Sequence, residues 1–166
     1  MTVAPCHHEH SGNARGAPEV ARILAAVEAS CTSQGERMTA PRRRVLELLL
    51  AAGEPVKAYD LIARYGANGE AAKPPTVYRA LEFLERWGVV HRIASISAYV
   101  ACSAQDDDVK AHAAAFLICD CCGSTAEVAV PLGDLALDKA ALAVGYDISR
   151  TTIEGHGKCA HCREAA

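Results

Sequence analysis

Apolar residues recur at helical spacing from Glu19 to about Gln34, where Val20, Ile23, Leu24 and Val27 share one side and Gly35 ends the run. Thr39 is suited to cap a second helix, with Pro41 in its first turn. That helix carries Val45, Leu46, Leu48, Leu49 and Leu50 on its apolar side and closes near Gly53. A third, short helix runs from about Lys57 to Tyr65. The loop Gly66-Ala67-Asn68-Gly69 then leads to Pro74 and Pro75, residues that open a helix but do not sit inside one. In the fourth helix Val77, Ala80, Leu81 and Leu84 form the packing face, leaving Thr76, Arg79, Phe83 and Arg86 on another side, and Gly88 stops it.

Val89–Ile93 and Ala98–Ala101 are β-prone runs separated by Ser95, Ile96 and Ser97, the pattern of a hairpin. Helices followed by a hairpin describe a winged helix-turn-helix, or equally a small α+β core with no partner in mind. Residues 103–111, with Asp106, Asp107 and Asp108, lack periodicity and read as a hinge. Beyond it, strands are expected at Ala113–Ile118, Ala126–Val130 and Tyr146–Ile153, with a helix over Leu132–Val144. The resulting plan is α+β: a tail at 1–17, a first domain at 18–102, the hinge, and a second domain at 112–166.

Composition sharpens this plan. Of 166 residues, 51% are hydrophobic but only 5% aromatic, so Leu, Val, Ile and Ala must build the cores. The net charge of −3 argues against indiscriminate nucleic-acid binding. Yet Arg37–Arg86 holds nine basic against six acidic residues, whereas His91–Ala166 holds six against ten, so a nucleic-acid face belongs to the first half. No run approaches the roughly 20 apolar residues of a membrane helix, and the start of the chain lacks a signal-peptide core; the expectation is a cytoplasmic protein with no membrane partner. In that compartment eight cysteines read better as metal ligands than as disulfides.

Cys119-x-x-Cys122-Gly123 and Cys159-x-x-Cys162 supply four thiolates in two pairs, the donor set of a closed, tetrahedral structural zinc. Gly123 suits the tight turn after a second ligand, which favours Cys122 over its neighbour Cys121. A redox pair or idle buried thiols are the alternatives. A hairpin turning at Ile96 and Ser97 would set His91 opposite Cys102, with Cα atoms roughly 4.5–5.5 Å apart. With His112 and Glu127 as the next suitable donors, these form a second candidate zinc set. Each member singly also reads as a packed histidine, a buried thiol or a solvated carboxylate. Four protein ligands leave no place for an activated water, so the site would bind rather than hydrolyse. Cys6, His7, His8 and His10 form a candidate third, weaker metal site, or a disordered terminus.

Lys73-Pro74-Pro75-Thr76-Val77-Tyr78-Arg79-Ala80-Leu81, the hairpin end Ala98-Tyr99-Val100-Ala101-Cys102 and the two cysteine pairs, in this order, resemble the ferric uptake regulator superfamily, and within it the zinc uptake regulator branch. The resemblance spans about Val20 to Cys162. It implies an N-terminal winged-helix DNA-binding domain hinged to a small C-terminal α/β dimerisation domain. It also implies structural zinc on Cys119, Cys122, Cys159 and Cys162, and regulatory zinc on His91, Cys102, His112 and Glu127. Lys110-Ala111-His112-Ala113 lacks the histidine run of the iron-sensing branch, and the thiolate of Cys102 points the same way.

The resemblance further implies that the fourth helix enters the major groove, with Arg79 on a purine edge and Tyr78 and Thr76 on backbone or a thymine methyl, while Tyr59 makes another contact. Packing of Tyr59 and Tyr78 within the domain, and pairing of Arg79 with Glu82, is the competing reading. Arg42, Arg43 and Arg44 are either phosphate contacts or a solvated face. The expectation is a homodimeric repressor, not an enzyme. It takes two zinc ions per protomer and no small-molecule substrate, and binds palindromic double-stranded operators of zinc-uptake genes.

Overall fold

The computed structural model describes residues 14–66, 73–102, 112–131, 136–148 and 151–164. The expected hinge at 103–111 and the cluster Cys6, His7, His8 and His10 lie outside the described residues. The chain divides after Cys102 into two compact units.

The first unit opens with helix α1 (Ala17–Ser33), which has proline in its first turn. Helix α2 (Ala40–Ala52) starts after Thr39 in extended conformation and ends on Gly53, whose φ of 63° is left-handed and whose N–H closes on the Leu49 carbonyl. A two-residue strand β1 (Val56–Lys57), too short to signal itself, leads into α3 (Ala58–Tyr65). Helix α4 (Pro74–Arg86) begins with the two prolines and stops ahead of Gly88 at φ 72°. Strands β2 (Val90–Ile93) and β3 (Ala98–Ala101) complete a three-stranded sheet in the order β1-β3-β2. Val45, Leu46, Leu49, Leu50, Leu61, Val77, Leu81 and Leu84 are fully buried, so the helices interlock through one aliphatic core.

Two expectations for this unit need correction. Phe83 does not lie on the free side of α4: it is 3% exposed. The Arg42 guanidinium stacks 3.4 Å from its ring centroid, and Trp87 packs against it. Standing three residues after Ala80, Phe83 widens the buried side of the helix by one position, and α2 supplies the wall that covers it. The hairpin register also differs. Ile93 pairs with Ala98 across a four-residue turn containing Ser97 at φ 51°, so His91 faces Val100 rather than Cys102.

The second unit is built on β4 (His112–Cys119), which lies between β5 (Thr125–Pro131), antiparallel to it, and β6 (Thr152–Gly157), parallel to it. A parallel partner requires a crossover, and α5 (Ala136–Ala143) lies in that connection. Gly145, at φ 79°, follows α5, and the strand expected from Tyr146 begins only at Thr152. A five-residue helix α6 (Ala160–Glu164), not foreseen in the sequence, carries the second cysteine pair onward. Ala115, Phe116, Ile118 and Cys119 are buried along β4, while Leu117, Leu137, Leu142, Val144 and Tyr146 expose apolar side chains on this unit.

Candidate metal centres and nucleic-acid interface

In the second unit the end of β4 supplies Cys119, the turn into β5 supplies Cys122, and the segment after β6 supplies Cys159 and Cys162. One sulfur from each lies within 4.8 Å of every other. The local chain explains this convergence. Gly123 at φ 75° donates its N–H to the Cys119 carbonyl at 2.8 Å, folding Cys122 back over Cys119. The parallel pairing of β4 with β6 ends at Cys119 opposite Gly157, which delivers Cys159 to the same place two residues later. The Asp120 N–H on the Gly157 carbonyl, at 2.8 Å, fastens the two segments.

The electrostatics suit thiolates. Backbone N–H groups of Cys122 and Cys159 point at Cys119 Sγ, that of Cys159 at 3.3 Å, and hold the Cys119 thiol down to about 6. Ser124, whose Oγ is 3.3 Å from Cys122 Sγ, lowers Cys122 as well. Burial pushes the Cys162 thiol up, so it gives up its proton less readily than Cys119 does. A convergent donor set, two of its cysteines buried and two half-buried, with N–H groups already aimed at sulfur, fits a structural zinc. Cys121 is half-buried and stands outside the four-sulfur group.

In the first unit His91 and Cys102 are both buried at the base of the β2–β3 hairpin. Cys102 lies one residue beyond β3 and donates its N–H to the Val89 carbonyl at 3.0 Å. Because side chains alternate along a strand, Cys102 shares a face with Val100 and hence with His91, so the two are diagonal neighbours. A ring nitrogen of His91 and Cys102 Sγ lie within 4.8 Å. In the second unit Glu127 is half-buried on β5, opposite Phe116, and His112 opens β4 opposite Pro131.

Tyr59, the second residue of α3, is 80% exposed, and Tyr78 on α4 is 46% exposed. Arg79 is exposed beside Tyr78, while Thr76 is half-buried in the first turn of α4, its N–H on the Lys73 carbonyl at 2.8 Å. Among the described residues no ion pair engages Arg79, Lys73, Lys57 or Arg64, four basic residues on α3, α4 and the positions opening them, where Asp60, Glu82 and Glu85 are the acidic ones. Arg42, Arg43 and Arg44 are instead committed within the unit. Arg43 pairs with Glu28 at 3.0 Å, Arg44 with Glu47 at 2.8 Å, and Arg42 covers Phe83.

One contributor escapes sequence reasoning. Ser124 stands two residues after Cys122, and that spacing is the sequence signal of a hydroxyl partner for its sulfur.

Residues 33–156 match the model of the ferric uptake regulator family. The zinc uptake regulation protein of Escherichia coli (strain K12) is 37% identical over 142 residues, covering 86% of this chain and 82% of that protein. A solved zinc uptake regulator complexed with zinc and DNA superposes with a TM-score of 0.75 at 35% identity, covering 88% of this chain and 96% of that one. The crystal structure of holo XcZur gives 0.69 at 43% identity, over 87% and 99%.

Proposed function

The chain belongs to the ferric uptake regulator family, in its zinc uptake regulator branch, and on that premise we propose that it is a zinc-responsive transcriptional repressor, not an enzyme. It binds the palindromic operators of zinc-uptake genes, in the cytoplasm, as a zinc-loaded homodimer. The observation that carries this reading is the likeness over most of the chain to a zinc uptake regulator held with zinc and DNA.

Two zinc ions per protomer have separate roles. The first takes Cys119, Cys122, Cys159 and Cys162 and supplies folding free energy to a small unit, tying the segment after β6 to the β4–β5 turn. The second takes His91, Cys102, His112 and Glu127 and is the regulatory ion. The pairing of imidazole with a buried thiolate on one face of the hairpin supports it, as a soft donor set suits zinc. When bound, zinc supplies no chemistry to a substrate; it changes which conformation is populated.

The first unit is the DNA-binding domain. Helix α4 lies in the major groove, with Arg79 donating to a purine edge and Tyr78 and Thr76 on backbone or thymine methyl, while Tyr59 makes another DNA contact. The exposure of Tyr59, Tyr78 and Arg79, and the absence of an intramolecular ion pair on Arg79 among the described residues, support these roles. The second unit dimerises, for which its exposed Leu117, Leu137, Leu142, Val144 and Tyr146 provide apolar surface.

Linkage requires operator DNA to raise zinc affinity by the factor by which zinc raises DNA affinity, ~1–3 kcal/mol in typical coupled systems. The test is anisotropy of a labelled operator, selected from a random duplex pool in zinc, titrated under buffered free zinc with wild type and Cys102→Ser. Cys102→Ser retaining its first zinc while losing zinc-dependent binding is the expected result. An unchanged response removes Cys102 from the regulatory site.

A further inference from the structure

At the end of the wing the peptide groups flanking Cys102 are held on both sides. Its N–H is fixed on the Val89 carbonyl, and its own carbonyl accepts a hydrogen bond from Arg15 Nη2 at 3.2 Å. Arg15 lies 87 residues upstream and just ahead of α1, yet its side chain is only 13% exposed. Its Nε sits 3.6 Å from Glu19 Oε1, one turn into α1. A guanidinium is rarely withdrawn from water without acceptors, and here it spans two: a carboxylate on α1 and the carbonyl that closes the wing. Neither the DNA contacts nor the four-cysteine centre uses it.

We propose that Arg15 is a positioning residue for the second metal centre, holding Cys102 so that its thiolate stays directed toward the ion. The inference rests on the reading of Cys102 as a ligand. His91 lies inside β2, where the pairs with β3 before and after it, Val90 with Ala101 and Arg92 with Tyr99, fix its backbone. Cys102 lies one residue past β3, where the ladder has ended. The direction of its Cα–Cβ bond then depends on the two flanking peptide planes, and Arg15 fixes the one the sheet does not. The planar fork of arginine reaches both acceptors at once, which a lysine ammonium does with poorer geometry. Groups that hold ligands in this way typically set metal affinity by 10- to 100-fold.

The experiment uses the full chain with zinc retained at the four-cysteine centre, and measures the second equivalent by competition with a chelator of known affinity. Cobalt(II) placed in the second site provides a thiolate-to-metal charge-transfer band that reports ligation by Cys102 itself. Arg15→Ala is expected to weaken the second equivalent about tenfold or more and diminish the band, leaving the first zinc and the thermal midpoint unchanged. Arg15→Lys, which keeps a donor for the carbonyl, recovers most of both. If Arg15→Ala binds the second ion as wild type does while Cys102→Ser does not, Arg15 has no positioning role and the site reading survives. If Cys102→Ser also binds normally, the site reading fails and the Arg15 proposal with it. Loss of both equivalents in Arg15→Ala and Arg15→Lys alike would mark a general structural role and overturn the proposal.

Discussion

Cys122 Sγ and Cys159 Sγ stand 3.9 Å apart although 37 residues separate them in sequence. Four sulfurs at about 2.3 Å around a tetrahedral zinc are separated by about 3.8 Å, so this edge already has the length a bound ion would set. Cys159→Ser should therefore lose one zinc per protomer by metal analysis and release the segment after β6, seen as protease cleavage there. Structural zinc in small domains contributes on the order of 10 kcal/mol, so the variant's second unit should no longer melt cooperatively. Cys121→Ser, outside the four-sulfur group, should keep its zinc and its melting profile. A Cys121→Ser protein that loses zinc would reassign the ligand in the Cys-Cys pair.

Phe83 is buried beneath the Arg42 guanidinium, and this makes a quantitative prediction about α4. Phe83→Ala should destabilise the first unit by ~3–5 kcal/mol, as core aromatic truncations do. Arg42→Ala should cost about 0.5–2 kcal/mol through the lost cation–π contact. Urea denaturation measures both. A Phe83→Ala change within about 0.5 kcal/mol of wild type would put the ring back on the solvent side.

Much of this architecture is legible in the sequence because local signals and burial agree. Thr39 and Gly53 bracket α2, Pro74 and Pro75 open α4, and Val77, Ala80, Leu81 and Leu84 mark its buried side. Phe83 is misjudged because periodicity locates a stripe but not its width, which α2 decides. The hairpin is misregistered by two residues because Ser95-Ile96-Ser97 carries no primed-turn signature, and the chain uses a four-residue turn instead. His91 and Cys102 nevertheless share a face, since a shift of two restores the alternation that a shift of one would reverse. β1 and α6 escape because two and five residues are too few for a period to appear.

Acid should loosen the four-cysteine centre in a particular way. Zinc takes thiolates, so each sulfhydryl still protonated must release a proton, and log affinity rises with pH by the number released. Backbone N–H groups hold Cys119 down to about 6, so above that pH it is already ionised and adds nothing to the slope. Below it, Cys119 must also lose a proton. Cys162, raised by burial, contributes its proton on both sides of that point. Affinity should fall with falling pH, and fall more steeply below about pH 6. Chelator competition for the first equivalent, from about pH 5 to about pH 8, gives this slope directly. A constant slope through that range would mean Cys119 is not held as a thiolate before the metal binds.

Arg79 and Lys73 are both cationic and both near the start of α4, yet their losses should look different. Arg79, exposed next to Tyr78 and engaged in no ion pair among the described residues, is placed to read a base. Arg79→Ala should weaken operator binding by ~1–3 kcal/mol and relax the preference at one position of each half-site. Lys73 caps the helix from outside it, where an ammonium meets phosphate rather than a base edge. Lys73→Ala should weaken binding to all duplexes alike and reduce the slope of log affinity against log salt by about one. Anisotropy titrations over a salt series, on the operator and on duplexes mutated one base pair at a time, separate the two. If Arg79→Ala changes only the salt slope and leaves base preference intact, α4 does not read sequence through Arg79, and the recognition role must move to Tyr78 or Tyr59.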